Sequence, residues 1–332
     1  MQRVIRFAIA ALAALGGPAA AETLTVYTYD SFTSEWGPGP AVEQAFEADC
    51  GCDLEFVGVD DGVAILSRLR LEGARTRADI VLGLDMNLVA EARATGLLAP
   101  HGLDLSGLSV PLPADMLDEL FVPYDWGYFA FVYDSELLPV PPASLRALVD
   151  DSDAEILIQD PRTSTPGLGL LLWLREVYGD EAAAAWHRLR PRIVTVTSGW
   201  SEAYGLFLEG EAPMVLSYTT SPAYHMISEG EDRYQAASFA EGHYLQVEVA
   251  AKVATTDQPD LADRFLAFVL SPGFQDVIPT TNWMYPVVTP AAGLPDAFAA
   301  LVTPERALLM APDTVAQSRG AWIDEWLVAM SR

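Results

Sequence analysis

The sequence is short of bases: 19 Lys+Arg stand against 46 Asp+Glu in 332 residues. A chain this acidic lacks the positive footprint that phosphate backbones and anionic lipid surfaces attract, which excludes nucleic acid and anionic membrane as partners. Long hydrophobic runs are missing too. Although 51% of the residues are apolar, no apolar run reaches the roughly 18 to 20 residues of a membrane-spanning helix. Cysteine and histidine are scarce, and His101, His187, His225 and His243 are scattered without metal-ligand spacing, so no metal site is expected. Gly-x-Ser-x-Gly, His-Glu-x-x-His and the P-loop are absent, and Gly167-Leu-Gly169 is too short for a dinucleotide fingerprint. Glu241 and His243 are suited in type to acid–base chemistry, but they read as part of a solvated loop.

What is present suffices for a large core, and at about 100 to 200 residues per domain the length fits roughly two lobes. Arg3 and Arg6, the apolar run Phe7 to Leu15 and the small residues Ala19 to Ala21 form a signal-peptide pattern over residues 1–21. Cleavage after Ala21 would start the mature, soluble chain at Glu22. In an oxidising compartment the two cysteines, Cys50 and Cys52, could form a small local disulfide. It would close almost no loop and so add little entropic stability.

From Leu24 onward strands and helices alternate. Strands are expected at Leu24 to Tyr29, Leu54 to Val59 and Ile80 to Leu84, with helices at Pro40 to Ala48 and Val63 to Glu72 between them. A second series follows Pro139 to Pro142: strands Ile156 to Gln159, Ile193 to Val196 and Met214 to Tyr218, and helices Gly167 to Tyr178, Glu181 to Leu189 and Glu202 to Leu208. This βαβ order implies two α/β lobes with mainly parallel sheets flanked by helices. Val122 to Tyr133 and Tyr244 to Val253 are long strands read as crossovers between the lobes. The tail from about Pro259 reads as helical, interrupted by Pro279 to Pro290, with the helix around Thr314 to Met330 packing on the second lobe.

In open parallel sheets, ligands bind beyond the carboxyl ends of the strands. Those ends deliver Tyr29, Asp30 and Trp36; Asp60, Asp61 and Gly62; Asp85; Asp160 and Ser164; Thr197 to Trp200; and Tyr218 to Tyr224, while the late loop adds Trp283 and Tyr285. Aromatics and carboxylates with hardly a base among them suit a flat cationic ligand, since each ring face attracts a cation by about 0.5 to 2 kcal/mol. Asp61 and Ser164 are at the same time natural N-caps, and a helix N-terminus can hold a hydroxyl or phosphate.

Several long blocks are similar to one known family. They are Thr25-Val-Tyr-Thr-Tyr-Asp-Ser-Phe32, Trp36-Gly-Pro-Gly-Pro40, Phe46-Glu-Ala-Asp-Cys50, the stretch Gln159 to Trp173, Gly199-Trp-Ser-Glu-Ala-Tyr-Gly-Leu-Phe207, Leu216-Ser-Tyr-Thr-Thr-Ser-Pro-Ala-Tyr224 and Asn282-Trp-Met-Tyr-Pro286. Together they resemble the periplasmic thiamine-binding proteins of bacterial thiamine ABC importers, from about Leu24 to Val287. The resemblance implies a two-lobed periplasmic binding protein fold of type II, hinged by the crossovers, with residues 22–123 and 245–300 in one lobe and 124–244 and 301–332 in the other. It implies capture of thiamine, or its mono- or diphosphate, by a non-enzymatic, cofactor-free periplasmic monomer, and delivery to a permease with its ATPase subunit. Matching ligand positions are Asp61, Gly62, Ser164, Thr165, Trp200, Tyr218, Thr219, Thr220 and Ser221, with Tyr29, Trp36, Tyr224 and Trp283 as aromatics near the rings. Two rivals share the fold: a thiaminase-like enzyme, which would need a free cleft cysteine, and a ferric-ion binder, which typically uses adjacent tyrosines.

Overall fold

Two long strands tie the chain together, and the other elements fall on either side of them. The computed structural model describes residues 21–331, so the expected signal segment lies, but for Ala21, outside the described residues. The first half contains β1 (Thr23–Tyr29), α1 (Gly39–Cys50), β2 (Asp53–Val59), α2 (Gly62–Glu72), β3 (Ile80–Asp85) and α3 (Val89–Ala94). Then come the long strand β4 (Val122–Asp134), β5 (Ile156–Gln159), α4 (Thr165–Tyr178), α5 (Ala182–Leu189), β6 (Ile193–Thr197), α6 (Trp200–Leu208) and β7 (Met214–Tyr218). The second long strand, β8 (His243–Val253), precedes α7 (Pro259–Val269) and α8 (Pro312–Met330).

The strands lie in the order β2-β1-β3-β8-β4-β7-β5-β6. At one end β1 pairs in parallel with β2 and β3; at the other β5 pairs in parallel with β6 and β7. Between these parallel groups β8 and β4 run antiparallel to their neighbours. β4 changes partners along its length: Val122 to Tyr128 pair with β8, and Phe129 to Tyr133 pair with β7. Its 13 residues therefore belong to both halves of the molecule, as the sequence led us to expect of a crossover.

Local chemistry explains the helix starts. The Asp61 side chain accepts from Gly62 N–H at 2.7 Å and opens α2, which buries Val63, Ile65, Leu66 and Leu69 against the first sheet. Ser164 caps α4, with Pro166 in the first turn, so this helix begins two residues earlier than its apolar pattern suggests. α4 is apolar nearly all round and fully buries Trp173, as befits a helix enclosed between the sheet and its neighbours. Cys50 closes α1, and its sulfur is bonded to that of Cys52 across Gly51, with Cα atoms 5.2 Å apart.

The C-terminal helix does more than pack on the second lobe. Trp326 meets the Trp186 ring of α5 edge-on at 6.5 Å and Arg175 of α4 pairs with Glu325, but Arg319 Nε also lies 3.0 Å from Glu91 of α3. α8 thus touches both halves. The tail is also less helical than its apolar pattern suggests: between Asn282 and Ala311 only a short 3₁₀ turn (Asp296–Ala300) and two-residue strands interrupt irregular chain.

Packing is tight where α4 crosses β4. A Cβ added at Gly169 would lie 2.0 Å from Phe129 Cε2, whereas one added at exposed Gly320, inside α8, meets nothing within 4 Å. Gly169→Ala is expected to destabilise the protein by about 1 to 3 kcal/mol through overpacking. Gly320→Ala should instead stabilise it by roughly 0.5 to 1 kcal/mol by relieving a helical glycine. Urea unfolding of both variants checks the contrast.

Candidate functional site

A cavity of about 450 Å³ opens where the two halves face each other, within the size range of small-molecule sites. Of the residues singled out in the sequence, Tyr29, Trp36, Asp61, Trp200, Tyr218, Ser221, Tyr224 and Trp283 line it. Each arrives at the carboxyl end of a strand, at the start of a helix or in a loop beside one. Tyr29 ends β1, Trp200 begins α6 and Tyr218 ends β7. Gly62, Ser164, Thr165, Thr219 and Thr220 are buried residues outside the cavity lining.

The aromatic walls face one another. The Trp200 indole stacks on Tyr204 at 4.9 Å and 25° and donates its Nε1–H to Ser217 Oγ at 2.8 Å, which fixes the ring plane. Ser217 in turn shares a 2.7 Å hydrogen bond with Ser221. Trp36, 52% exposed, stands 6.2 Å from Trp200 across the cavity mouth. Tyr224 meets Trp283 edge-on at 5.3 Å. Trp283 alone among the described non-glycine residues has positive φ, 57°, a conformation that costs of order 1 to 3 kcal/mol and is held by the surrounding loop. Tyr285, also expected here, turns away and stacks on Trp126 at 4.5 Å.

The acidic side is built from buried carboxyls. Asp61 accepts from Ser164 Oγ at 2.7 Å as well as from Gly62 N–H. Ser164 belongs to the second half of the molecule, so this hydrogen bond spans the interface, alongside Ala64 N–H donating to the Thr163 carbonyl at 3.1 Å. The approach is close enough that a Cβ at Gly62 would sit 2.3 Å from Thr165 Oγ1 and 2.4 Å from the Gly83 carbonyl oxygen, which is why glycine follows Asp61. Burial pushes the Asp61 carboxyl up, and its bonds to Ser164 and Gly62 pull against that shift. Burial likewise pushes Asp85 up to about 7, opposed by hydrogen bonds from Asn87.

Two acidic residues went unnoticed in the sequence. Glu248 lines the cavity from the middle of β8, and Asp125 lies opposite it on β4. The signal was there, since each is an acid well inside a long, mostly apolar strand, where a charge is rarely buried without a purpose. Tyr204 and Asn282 are among the other lining residues that motif reading missed.

Several expectations need correction. His243 is fully buried rather than part of a solvated loop: one ring nitrogen lies 2.8 Å from the Phe129 carbonyl and the other accepts from Phe239 N–H at 3.0 Å. Glu241 accepts from the backbone N–H groups of Leu145 and Arg146, at 2.9 and 3.0 Å, at the start of a short helix. Both are structural. Asp160 pairs with Arg162 at 2.9 Å and lies outside the cavity lining. Among the described residues, no group of three or more His, Cys, Asp or Glu side chains could hold a metal ion.

Comparison with known proteins places this geometry. A family model described as bacterial extracellular solute-binding protein matches residues 38–276. The thiamine-binding periplasmic protein of Brucella suis is 58% identical over 331 residues, covering 99% of this chain and 98% of that one. The thiamine-binding periplasmic protein of Escherichia coli is 57% identical over 310 residues, covering 93% and 94%. A solved structure described as periplasmic thiamin binding protein superposes with a TM-score of 0.91 at 56% identity, covering 93% of this chain and 96% of that one.

The raised carboxyls make a prediction about pH. A carboxyl whose folded-state value is raised keeps its proton where the unfolded chain has lost it, so its stabilisation is complete below about pH 4 and is lost as pH rises through the folded value. For Asp85 that value is about 7. The protein without added ligand should therefore melt at a lower temperature at about pH 8 than at about pH 5.5. Asp85→Asn should flatten this slope, as differential scanning calorimetry across the range would record.

Proposed function

The chain belongs to the bacterial extracellular solute-binding protein family, and from that membership we propose that it captures thiamine in the cavity between its lobes. The observation that carries the reading is the lining itself: facing aromatic rings with two carboxyl groups, Asp61 and Glu248, and no basic residue. Thiamine is flat and carries a permanently positive thiazolium ring, so ring faces and carboxylates are its natural partners. The identity to thiamine-binding periplasmic proteins over nearly the whole chain supports the same ligand.

In this reading Tyr224, Trp283, Trp200 and Trp36 flank the rings, Tyr29 and Tyr218 form the floor, and Asp61 with Ser221 contributes polar contacts. Gly62, Ser164, Thr165, Thr219 and Thr220 act from behind, by holding Asp61 and the end of β7 in place. Residues 22–123 with 245–300 form one lobe and 124–244 with 301–332 the other. β4 changes partners between Tyr128 and Phe129, a few residues past the 123/124 boundary, and α8 straddles the division. The protein works in the periplasm after cleavage behind Ala21, as a monomer, and hands thiamine or its phosphates to a permease and its ATPase. The rivals fare worse. A thiaminase-like reaction needs a cleft thiolate, but Cys50 and Cys52 are bonded to each other at the end of α1. Ferric-ion binding has no support from the 57–58% relatives, which are named for thiamine.

Isothermal titration of the mature chain with thiamine, followed by mass analysis of the recovered ligand, tests the proposal: tight one-to-one binding of intact thiamine is expected, and no binding would refute it. Trp283→Ala and Tyr224→Ala should each weaken binding by about tenfold or more, roughly 1.4 kcal/mol, without unfolding the protein. Asp61→Asn should weaken binding more than Asp153→Asn on the exposed surface; equal effects would mean that only the overall negative field matters.

A further inference from the structure

The cavity has an acidic group that no strand end delivers. Glu248 lies mid-strand in β8, in register with Asp85 of β3 on one side and Asp125 of β4 on the other. The pairing with β4 slips between Glu248 and Val249, a bulge of the kind that re-aims a side chain. Tyr29 and Tyr124 both donate to Glu248 Oε2, each at 2.7 Å, which leaves the other carboxyl oxygen uncommitted. Asn282 donates to Asp125 Oδ2 at 2.6 Å, while Asp125 Oδ1 has no donor among the described residues. Directly across the ladder from Asp125 is Glu248.

Asp125 is 0% and Glu248 6% exposed, and they face each other across a ladder. Ionising both such carboxyls without a cation is unfavourable, so the pair tends to hold on to a proton. Among the groups facing Glu248, the Tyr29 and Tyr124 hydroxyls favour its ionised form by donating to it, but none carries positive charge: Tyr29 from β1, Tyr124 and Asp125 from β4, Asp85 from β3, Asp61 from the turn before α2 and Tyr218 from β7 are all acids or phenols. Arg319 of α8 acts on Asp85. Burial first, and then neighbouring negative charge, pushes Glu248 up to about 7 and Asp125 well above the carboxylate range. What could favour the ionised pair is a cation arriving in the cavity.

Resting on the reading that the ligand is thiamine, we propose that Glu248 is the cation-recognising group of the cleft, and that its pair with Asp125 gives up a proton to solvent when the ligand docks. The carboxyl O–H breaks, the proton passes through the open mouth of the cavity to buffer, and the carboxylate left behind pairs with the monocationic ligand. Binding therefore lowers the value at which the pair titrates, so affinity rises with pH through the window near 7 and levels off above it. Thiamine itself does not titrate in that window.

The test is titration calorimetry of the mature protein with thiamine in buffers of different ionisation enthalpy, at several values from about pH 6 to about pH 8. Net release of a fraction of a proton near pH 6.5 and about tenfold tighter binding at the upper end are expected, tenfold being one unit of pKa displacement. Glu248→Gln should abolish both the release and the pH slope and weaken binding by about tenfold, while Asp61→Asn keeps the release. Binding by the unaltered protein with no proton exchange and a pH-independent affinity would overturn the proposal and leave thiamine as the ligand. That measurement needs no variant, so it decides the matter even if Glu248→Gln fails to fold. Retention of the full release by folded Glu248→Gln would overturn it equally. Absence of thiamine binding at every pH would sink both this proposal and the functional reading beneath it.

Discussion

Burying carboxyl groups with almost no base beside them is the constraint around which this protein is arranged. Asp61, Asp85, Asp125 and Glu248 are all withdrawn from water in one region. A buried carboxylate without partners costs several kcal/mol, so each must be given donors. Those donors come from different parts of the chain: Ser164 from the start of α4, Asn87 from beyond β3, Asn282 from the late loop, and Tyr29 and Tyr124 from β1 and β4. Satisfying four acids thus fixes the mutual placement of strands, helix starts and a loop that are far apart in sequence. The site and the fold are specified by the same hydrogen bonds.

The two long strands concentrate this effect. β4 and β8 carry the chain between halves, and they also carry Asp125 and Glu248, directly opposed. A change in charge at that pair acts where the lobes are joined rather than at the rim of the cavity. The aromatic walls, by contrast, are set by their own local supports, such as the bond from the Trp200 indole to Ser217 and the positive φ at Trp283.

The architecture was largely legible from the sequence because its signals are local. Strand and helix periods alternate cleanly from Leu24 to Tyr218, and Asp61 and Ser164 announce the helices they cap. Strand-end reasoning found the aromatic side of the cavity for the same reason. It overlooked Glu248 and Asp125 because they sit inside strands read as connections, and it drew in Tyr285 and Asp160 because a strand end gives a position but no side-chain direction. The burial of His243 and the double contact of α8 were not readable, since both depend on which distant surfaces meet. The ion pair of Arg319 with Glu91 joins residues more than 200 positions apart.

The hydrogen bond from Ser164 to Asp61 spans the two halves of the molecule. Both partners of that bond belong to the protein, so it reports only that the two halves are together and says nothing of a ligand. The row of buried acids works differently, since a cation beside it would make it easier for these carboxyls to ionise out of water. If the acids sense a cation as proposed, the two act as latch and sensor: the serine–aspartate bond joins the halves, and the acids make that joining sensitive to positive charge.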